Sequence, residues 1–246
     1  MTNQDRVAVV TGAASGIGAA TALQLAREGF QVACLDRDEG GLDRTLHALG
    51  PGHRPFALDL CDEQAVAAVF AEIARWRGRI DGLATCAGVV DTTAFDDLSV
   101  ARLRQLLEVN LLATFSVVQH SVPLMRAGGH ICTVASVAGI RGGGLAGTLG
   151  YATSKGAVIT LSKGLARELG PRGLTVNCVA PAVIRTPMLD DTTRVAGKLE
   201  QLHGMTALRR EGRAEEAAEV IAWLLSGKAS FVSGTTIAVD GGLAML

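Results

Sequence analysis

The chain has 246 residues, 48% of them hydrophobic and 19% charged, which supports a sizeable core and excludes intrinsic disorder. A formal net charge of −1 leaves no basic footprint for nucleic acid and no cationic face for a membrane surface. No run approaches the roughly 18 apolar residues of a membrane helix, and the polar start MTNQDR shows no signal-peptide pattern, so the expectation is a soluble cytoplasmic protein.

The first predicted strand, Arg6–Thr11, runs into TGAASGIGAA and a helix over Gly16–Glu28. Gly12, Gly16 and Gly18 let the backbone turn sharply and approach a pyrophosphate closely. The helix then points free N–H groups and its positive dipole end at that anion. A buried strand before the loop, a helix after it and an acid closing the second strand together predict dinucleotide binding. That acid is Asp36, at the end of Gln31–Asp36. A carboxylate there accepts hydrogen bonds from the adenosine ribose hydroxyls and repels a 2′-phosphate, which favours NAD over NADP. The adjacent Arg37 pulls the other way, since an arginine at that place can hold the extra phosphate.

The third strand, Arg54–Asp59, ends on Asp59, which either reaches the adenine amino group or stands as an ordinary strand-end acid. A helix over Glu63–Arg77 leads to the fourth strand, Ile80–Cys86. The next helix, Val100–Met125, is apolar on more than one side in its second half, at Leu111, Leu112, Phe115, Val117, Val118 and Val122. One side can face the sheet, and the remainder suggests a partner surface. Asn110 interrupts that apolar run in LLEVNLLATF, where a buried amide has either a packing or a functional reason.

The fifth strand, Gly129–Ala135, is closed by Ser136, whose hydroxyl falls at the carboxyl edge of the sheet. The helix Tyr151–Leu169 follows, carrying the only tyrosine of the chain and Lys155 four residues on. At that spacing the two share one helix face. Bringing a phenol from pKa about 10 to about 7 takes roughly 4 kcal/mol. An ammonium ~4 Å away at an effective dielectric of 20 supplies about that, before desolvation is subtracted. The pair can therefore form a general base near neutral pH, and the expectation is a Tyr151 titration well below 10, lower still with an oxidised nicotinamide present.

Strands at Leu174–Ala180 and Thr235–Val239 flank a helix over Ala214–Leu225 and a polar, weakly periodic segment, 186–213, expected to be a substrate lid. Strands without strict alternation imply burial on both faces. The predicted class is α/β: one Rossmann-type, doubly wound, seven-stranded parallel sheet with helices on both faces, in a single domain over residues 1–246. The five cysteines are widely separated and the five histidines scattered, so the thiols read as small core hydrophobes and no metal site is expected.

Thr11–Gly18 as T-G-x-x-x-G-I-G, the Ala-Gly within Thr85-Cys86-Ala87-Gly88, Asn110, Ser136, Tyr151-x-x-x-Lys155, VNCVAP at Val176–Pro181 and VDGG at Val239–Gly242 come in one order along the chain. With them the sequence resembles the short-chain dehydrogenase/reductase family over nearly its whole length. The resemblance implies that Tyr151 is the catalytic acid/base and that Ser136 orients and polarises the substrate oxygen. It implies that Lys155 lowers the tyrosine pKa and holds the nicotinamide ribose, while Asn110 supports a water linking the lysine to solvent. Ser15, Ile17, Asp36, Asp59, Leu60, Ala87 and Gly88 would line the dinucleotide, with Ile184 and Thr186 at the carboxamide. Gly12, Gly16, Gly18, Arg37 and Cys86 complete the expected cofactor contacts, along with Tyr151 and Lys155. Thr85 and Cys86 stand where the family usually has two asparagines, Ala182 stands where it has glycine, and the Ser136–Tyr151 interval is a little longer than usual.

The function expected is an NAD(H)-dependent interconversion of a secondary alcohol and its ketone, NADP being less favoured. The alternatives are an NADP(H)-dependent 3-oxoacyl-thioester reductase of the same family and a non-catalytic dinucleotide sensor. Leu145, Leu149, Met188, Leu189 and Met205 hint at a small or apolar ligand. The resemblance also implies assembly with further copies of the chain, a homotetramer favoured.

Overall fold

The computed structural model describes residues 6–144, 148–192 and 197–245. Its strands are β1 (Arg6–Thr11), β2 (Phe30–Asp36), β3 (Arg54–Ala57), β4 (Ile80–Thr85), β5 (Met125–Val134), β6 (Thr175–Pro181), β7 (Ile184–Arg185), β8 (Gly212–Arg213) and β9 (Thr236–Val239). Helices α1 (Gly16–Arg27), α2 (Glu39–Leu49), α3 (Glu63–Arg77), α4 (Val100–Leu107), α5 (Ala113–Ser121), α6 (Val137–Arg141), α7 (Leu149–Leu169), α8 (Pro187–Thr192), α9 (Lys198–Met205) and α10 (Ala214–Leu225) fill the connections.

Seven strands form one parallel sheet in the order β3-β2-β1-β4-β5-β6-β9. This is the expected doubly wound arrangement. The chain moves outward from β1 through β2 and β3, then returns to the other side of β1 with β4. A crevice opens at that switch, outside the carboxyl ends of the strands. The inner strands are apolar on both faces because each face has its own helix layer. Ala8 and Val10 of β1 and Val32 and Cys34 of β2 pack with Leu25 of α1 and Ile221, Leu224 and Leu225 of α10. Val9, Ala33 and Leu35 point the other way, to Val66, Phe70 and Ile73 of α3 and Val117 and Val118 of α5.

Three differences from the sequence expectation bear on the site. Helix α2 has no strong periodic signal because Gly40 and Gly41 open it. Asp38 starts it by accepting from the Gly41 N–H at 3.0 Å, and Gly41 is needed because a Cβ there would come within 2.5 Å of Ala14. The expected helix Val100–Met125 is α4, a wide π turn at Glu108–Leu112, then α5 and a 3₁₀ turn at Val122–Leu124. Pro123 ends the helical run, and Met125 already pairs with Ile80 as the first residue of β5. Val117, Val118 and Val122 are buried against the sheet and Leu111 partly so, while Leu112 and Phe115 remain exposed. Finally, the candidate lid is anchored at its base, where β7 and β8 pair through Ile184↔Gly212 and Arg185↔Arg213. Leu189 and Leu202 sink into a small core with Val137, Ala180 and Val183. Residues 193–196 of the lid lie outside the described residues.

Candidate functional site

A cavity of about 350 Å³ opens at the switch between β1 and β4. Gly12, Ser15, Gly16, Ile17 and Gly18 form one wall, Asp36, Arg37, Asp59 and Leu60 one end, and Cys86, Ala87, Gly88 and Thr186 the other side. The loop's glycines are dictated by its own packing. Gly12 adopts φ +70, and a Cβ on it would sit 2.8 Å from the Ala87 nitrogen. A Cβ on Gly18 would fall 2.0 Å from the Gly12 carbonyl oxygen. The Ala87 N–H donates to Thr11 Oγ1 at 3.2 Å, so β1, the loop and the end of β4 are tied into one floor. Ser15 is the N-cap of α1 and its hydroxyl makes no capping bond, so the helix's N-terminal N–H groups and that hydroxyl face a common space.

At the far end, Asp36 accepts from Ala14 N–H at 3.0 Å through Oδ2 and from Asp38 N–H at 3.1 Å through Oδ1. A carboxylate has about four acceptor sites, so two backbone bonds orient it and leave capacity for ligand hydroxyls. Asp59 accepts from the Cys61 N–H at 2.9 Å.

A second cavity, about 100 Å³, shares Ile17, Cys86, Gly88, Thr186 and Met188 with the first. Ser136, Tyr151 and Lys155 line it together with Val90, Ala138, Ala182, Val183, Ile184 and Leu189. Ser136 lies two residues past the end of β5 and caps α6, its Oγ accepting from Ala138 N–H at 3.1 Å. Helices α6 and α7 meet backbone to backbone: a Cβ on Gly139 would lie 2.5 Å from the Gly156 nitrogen. That close approach is what brings Ser136 to the wall that Tyr151 and Lys155 occupy.

Both α7 side chains are buried, Tyr151 at 8% exposure and Lys155 at 4%. Burial pushes the Tyr151 phenol above its ordinary range, and the Ser136 hydroxyl draws it part of the way back. Burial lowers Lys155 to about 8, with the thiols of Cys178 and Cys86 acting against it. Its Nζ donates to the Val134 carbonyl at 3.0 Å. The expected low tyrosine pKa is therefore not a property of the ligand-free chain, because desolvation outweighs the help the phenolate receives.

Asn110 lies in the π turn and is fully buried, outside both cavities. Its Oδ1 accepts from Val89 N–H at 2.8 Å, while Nδ2 donates to the Val89 carbonyl at 3.0 Å and to Ser154 Oγ at 2.9 Å. Thr114 Oγ1 donates to its main-chain carbonyl at 2.9 Å. The amide thus clips the chain after β4 to α7, next to Gly88 and Lys155.

Every residue expected at the cofactor lines one of the two cavities, as do Ser136, Tyr151 and Lys155. Of the residues expected to line the substrate space, Met188 and Leu189 line the second cavity. Leu149 faces out at 46% exposure, Met205 packs in the lid core, and Leu145 lies outside the described residues. Sequence reading missed Val90, Ala138 and Val183, which carry no signal beyond being apolar. Among the described residues no cluster of His, Cys, Asp and Glu could hold a metal, the five cysteines are free thiols, and no helix is long and apolar enough to cross a membrane.

A family model described as enoyl-(acyl carrier protein) reductase matches residues 12–244. The chain is 38% identical to the 3-oxoacyl-[acyl-carrier-protein] reductase FabG of Thermotoga maritima, covering 98% of each protein. It is also 38% identical to cis-4-hydroxycyclohexanecarboxylate dehydrogenase of Sinomonas cyclohexanicum, over 97% of this chain and 96% of the relative. Among solved structures, a short-chain dehydrogenase/reductase of Brucella melitensis described as glucose/ribitol dehydrogenase superposes with a TM-score of 0.92 at 32% identity. That superposition covers 99% of this chain and 98% of the other.

Proposed function

The chain belongs to the short-chain dehydrogenase/reductase family, and from that premise we propose that it interconverts a secondary alcohol and its ketone with NAD(H). The observation that carries the reading is a pair of adjoining cavities with shared walls, one lined by the Asp36 carboxylate and the other by Ser136, Tyr151 and Lys155. The pair fits a nicotinamide dinucleotide: an acceptor end for ribose hydroxyls, a helix N-terminus midway for phosphates, and a proton-transfer group at the far wall. When bound, the nicotinamide supplies the hydride acceptor or donor. Tyr151 takes the hydroxyl proton of the alcohol or returns it to the ketone oxygen, and Ser136 donates a hydrogen bond to that same oxygen. Lys155, charged below about pH 8 and lining the same cavity, favours the phenolate. Asn110 keeps the chain beside Gly88 in register with α7.

Asp36 supports NAD, since its carboxylate lines the cavity and would repel a 2′-phosphate. Arg37 lines the same end, and the FabG relative keeps a second reading in view: an NADP(H)-dependent 3-oxoacyl-thioester reductase. A non-catalytic dinucleotide sensor has less support, because Ser136, Tyr151 and Lys155 share one cavity. The apolar walls at Val90, Ala138, Val183 and Leu189 suit an uncharged, compact substrate skeleton. We assign the exposed Leu112 and Phe115 to contact with a second copy in a homo-oligomer, a tetramer favoured, and the free thiols to a reducing cytoplasm.

The test is NADH and NADPH formation across a panel of secondary alcohols, with Tyr151→Phe as the blank. Turnover that is much faster with NADP, or that survives in the blank, overturns the corresponding part of the reading.

A further inference from the structure

We propose that Asp91, Arg102 and Thr148 form a clamp that sets the position of Tyr151 by holding the first turn of α7 against the loop after β4. The inference rests on the reading of Tyr151 as the proton-transfer group. Thr148 is the N-cap of α7, three residues before Tyr151, yet its hydroxyl makes no bond within the helix. A threonine at that place ordinarily caps N2 or N3. Here Oγ1 donates instead to the main-chain carbonyls of Thr93 at 2.8 Å and Asp91 at 3.1 Å, and the Thr148 N–H donates to the Asp91 carbonyl at 3.0 Å. The helix start is spent on the neighbouring loop rather than on itself.

That loop is in turn fixed by a charge. Asp91 is buried at 4% exposure, where an unpaired carboxylate would be costly. Its Oδ2 accepts from Arg102 Nε at 2.7 Å and its Oδ1 from the Thr93 N–H at 2.9 Å. Burial raises the Asp91 pKa, but the Arg102 and Thr93 bonds outweigh it and leave the carboxyl below its usual range. Arg102 stands on α4, so that helix holds the Asp91 carboxylate while the start of α7 holds the Asp91 main-chain carbonyl. From the other side, Gly150 presses α7 onto Leu106 and Leu98, where a Cβ would come within 2.8 Å and 3.3 Å. The clamped loop also carries Val90, which packs with Tyr151 and lines the catalytic cavity. One rigid unit therefore sets both the phenol and a wall of the substrate space. Misplacing a reacting group by about 1 Å can cost on the order of 10²-fold in rate, so such a unit is worth holding.

The roles are positioning ones, and the test uses Thr148→Val, which keeps the shape and deletes the hydroxyl, against Thr148→Ser, which restores it. Because Tyr151 is the only tyrosine, its titration is read directly from tyrosinate absorbance in the NAD-saturated protein. Thr148→Val is expected to move that titration and to lower kcat about tenfold with the fastest alcohol of the panel, with KM for NAD unchanged. Thr148→Ser is expected to match wild type in both, and Arg102→Gln to shift both in the direction of Thr148→Val. Wild-type titration and kcat in Thr148→Val overturn the clamp, as does equal loss in the Val and Ser variants. If Thr148→Val fails to fold, Arg102→Gln decides, its side chain being half exposed and open to substitution. A wild-type protein that oxidises no alcohol overturns the proposed function, while the titration still judges the clamp.

Discussion

The Nζ of Lys155 lies 3.0 Å from the carbonyl oxygen of Val134, the last residue of β5, and donates to it. The ammonium on α7 is thus pinned to the strand that delivers Ser136, inside a wall where burial lowers its pKa to about 8. One hydrogen bond is little compensation for a buried charge.

Lys155 should therefore destabilise the ligand-free fold below pH 8. Its folded pKa is about 8 and its unfolded pKa about 10.4, so between those values the unfolded chain binds the extra proton and this group's contribution to stability rises with pH. Cys34, Cys86, Cys132, Cys178 and Tyr151 act oppositely: burial raises them all, so their stabilisation is lost as pH climbs past the unfolded values of about 8.5 and 10. Wild type should lose stability above about pH 9. Lys155→Met should be more stable than wild type at pH 7, by up to about 3 kcal/mol, with the advantage shrinking between pH 8 and 10. Urea unfolding under reducing conditions reads this, and parallel curves for the two proteins would show the lysine to be adequately solvated.

In the ligand-free protein, the tyrosinate absorbance should rise only above the ordinary value of about 10, since burial dominates at Tyr151. Saturating NAD, which adds a cationic ring, should bring the midpoint down. Tyr151→Phe should lower kcat by on the order of 10²–10⁴ with little change in NAD affinity. A midpoint untouched by NAD, or a Phe variant within a few-fold of wild type, is incompatible with the proton-transfer role.

Asp36→Ala removes the proposed ribose acceptor and the bonds that orient the loop at Ala14 and Asp38. It should raise KM for NAD about tenfold or more, by loss of a charge-assisted pair of hydrogen bonds, and narrow the NAD/NADP preference. Steady-state kinetics with both dinucleotides checks this, and an unchanged ratio would shift the selectivity to Arg37.

Asn110→Leu leaves the Val89 N–H and carbonyl and the Ser154 hydroxyl without their partner in a fully buried place. The expected loss is about 3 kcal/mol or more of stability, read by chemical denaturation. Gly18→Ala should cost at least as much, because its Cβ would overlap the Gly12 carbonyl. If Gly18→Ala proves as stable as wild type, the close packing of the glycine loop is wrong.

What the sequence determined by itself was what local chemistry encodes. The alternation of buried strands and amphipathic helices specified a parallel doubly wound sheet, because only a sheet covered on both faces needs strands apolar on both sides. Gly12, Gly16, Gly18 and Asp36, singled out by their spacing after β1 and β2, line one cavity, and Ser136, Tyr151 and Lys155 line the cavity beside it. What only the tertiary structure decided was how distant groups balance in space. The Tyr151 pKa turns on desolvation by surrounding side chains that a helix face cannot reveal. The π turn that carries Asn110 is fastened to the chain at Val89, and the strand after it begins at Met125 rather than Gly129, neither of which a local pattern reveals. The Asp91–Arg102 pair and the Thr148 N-cap are far apart in the chain and ordinary in type, so no local pattern announces them. Their effect is made by convergence, and convergence is a property of the fold.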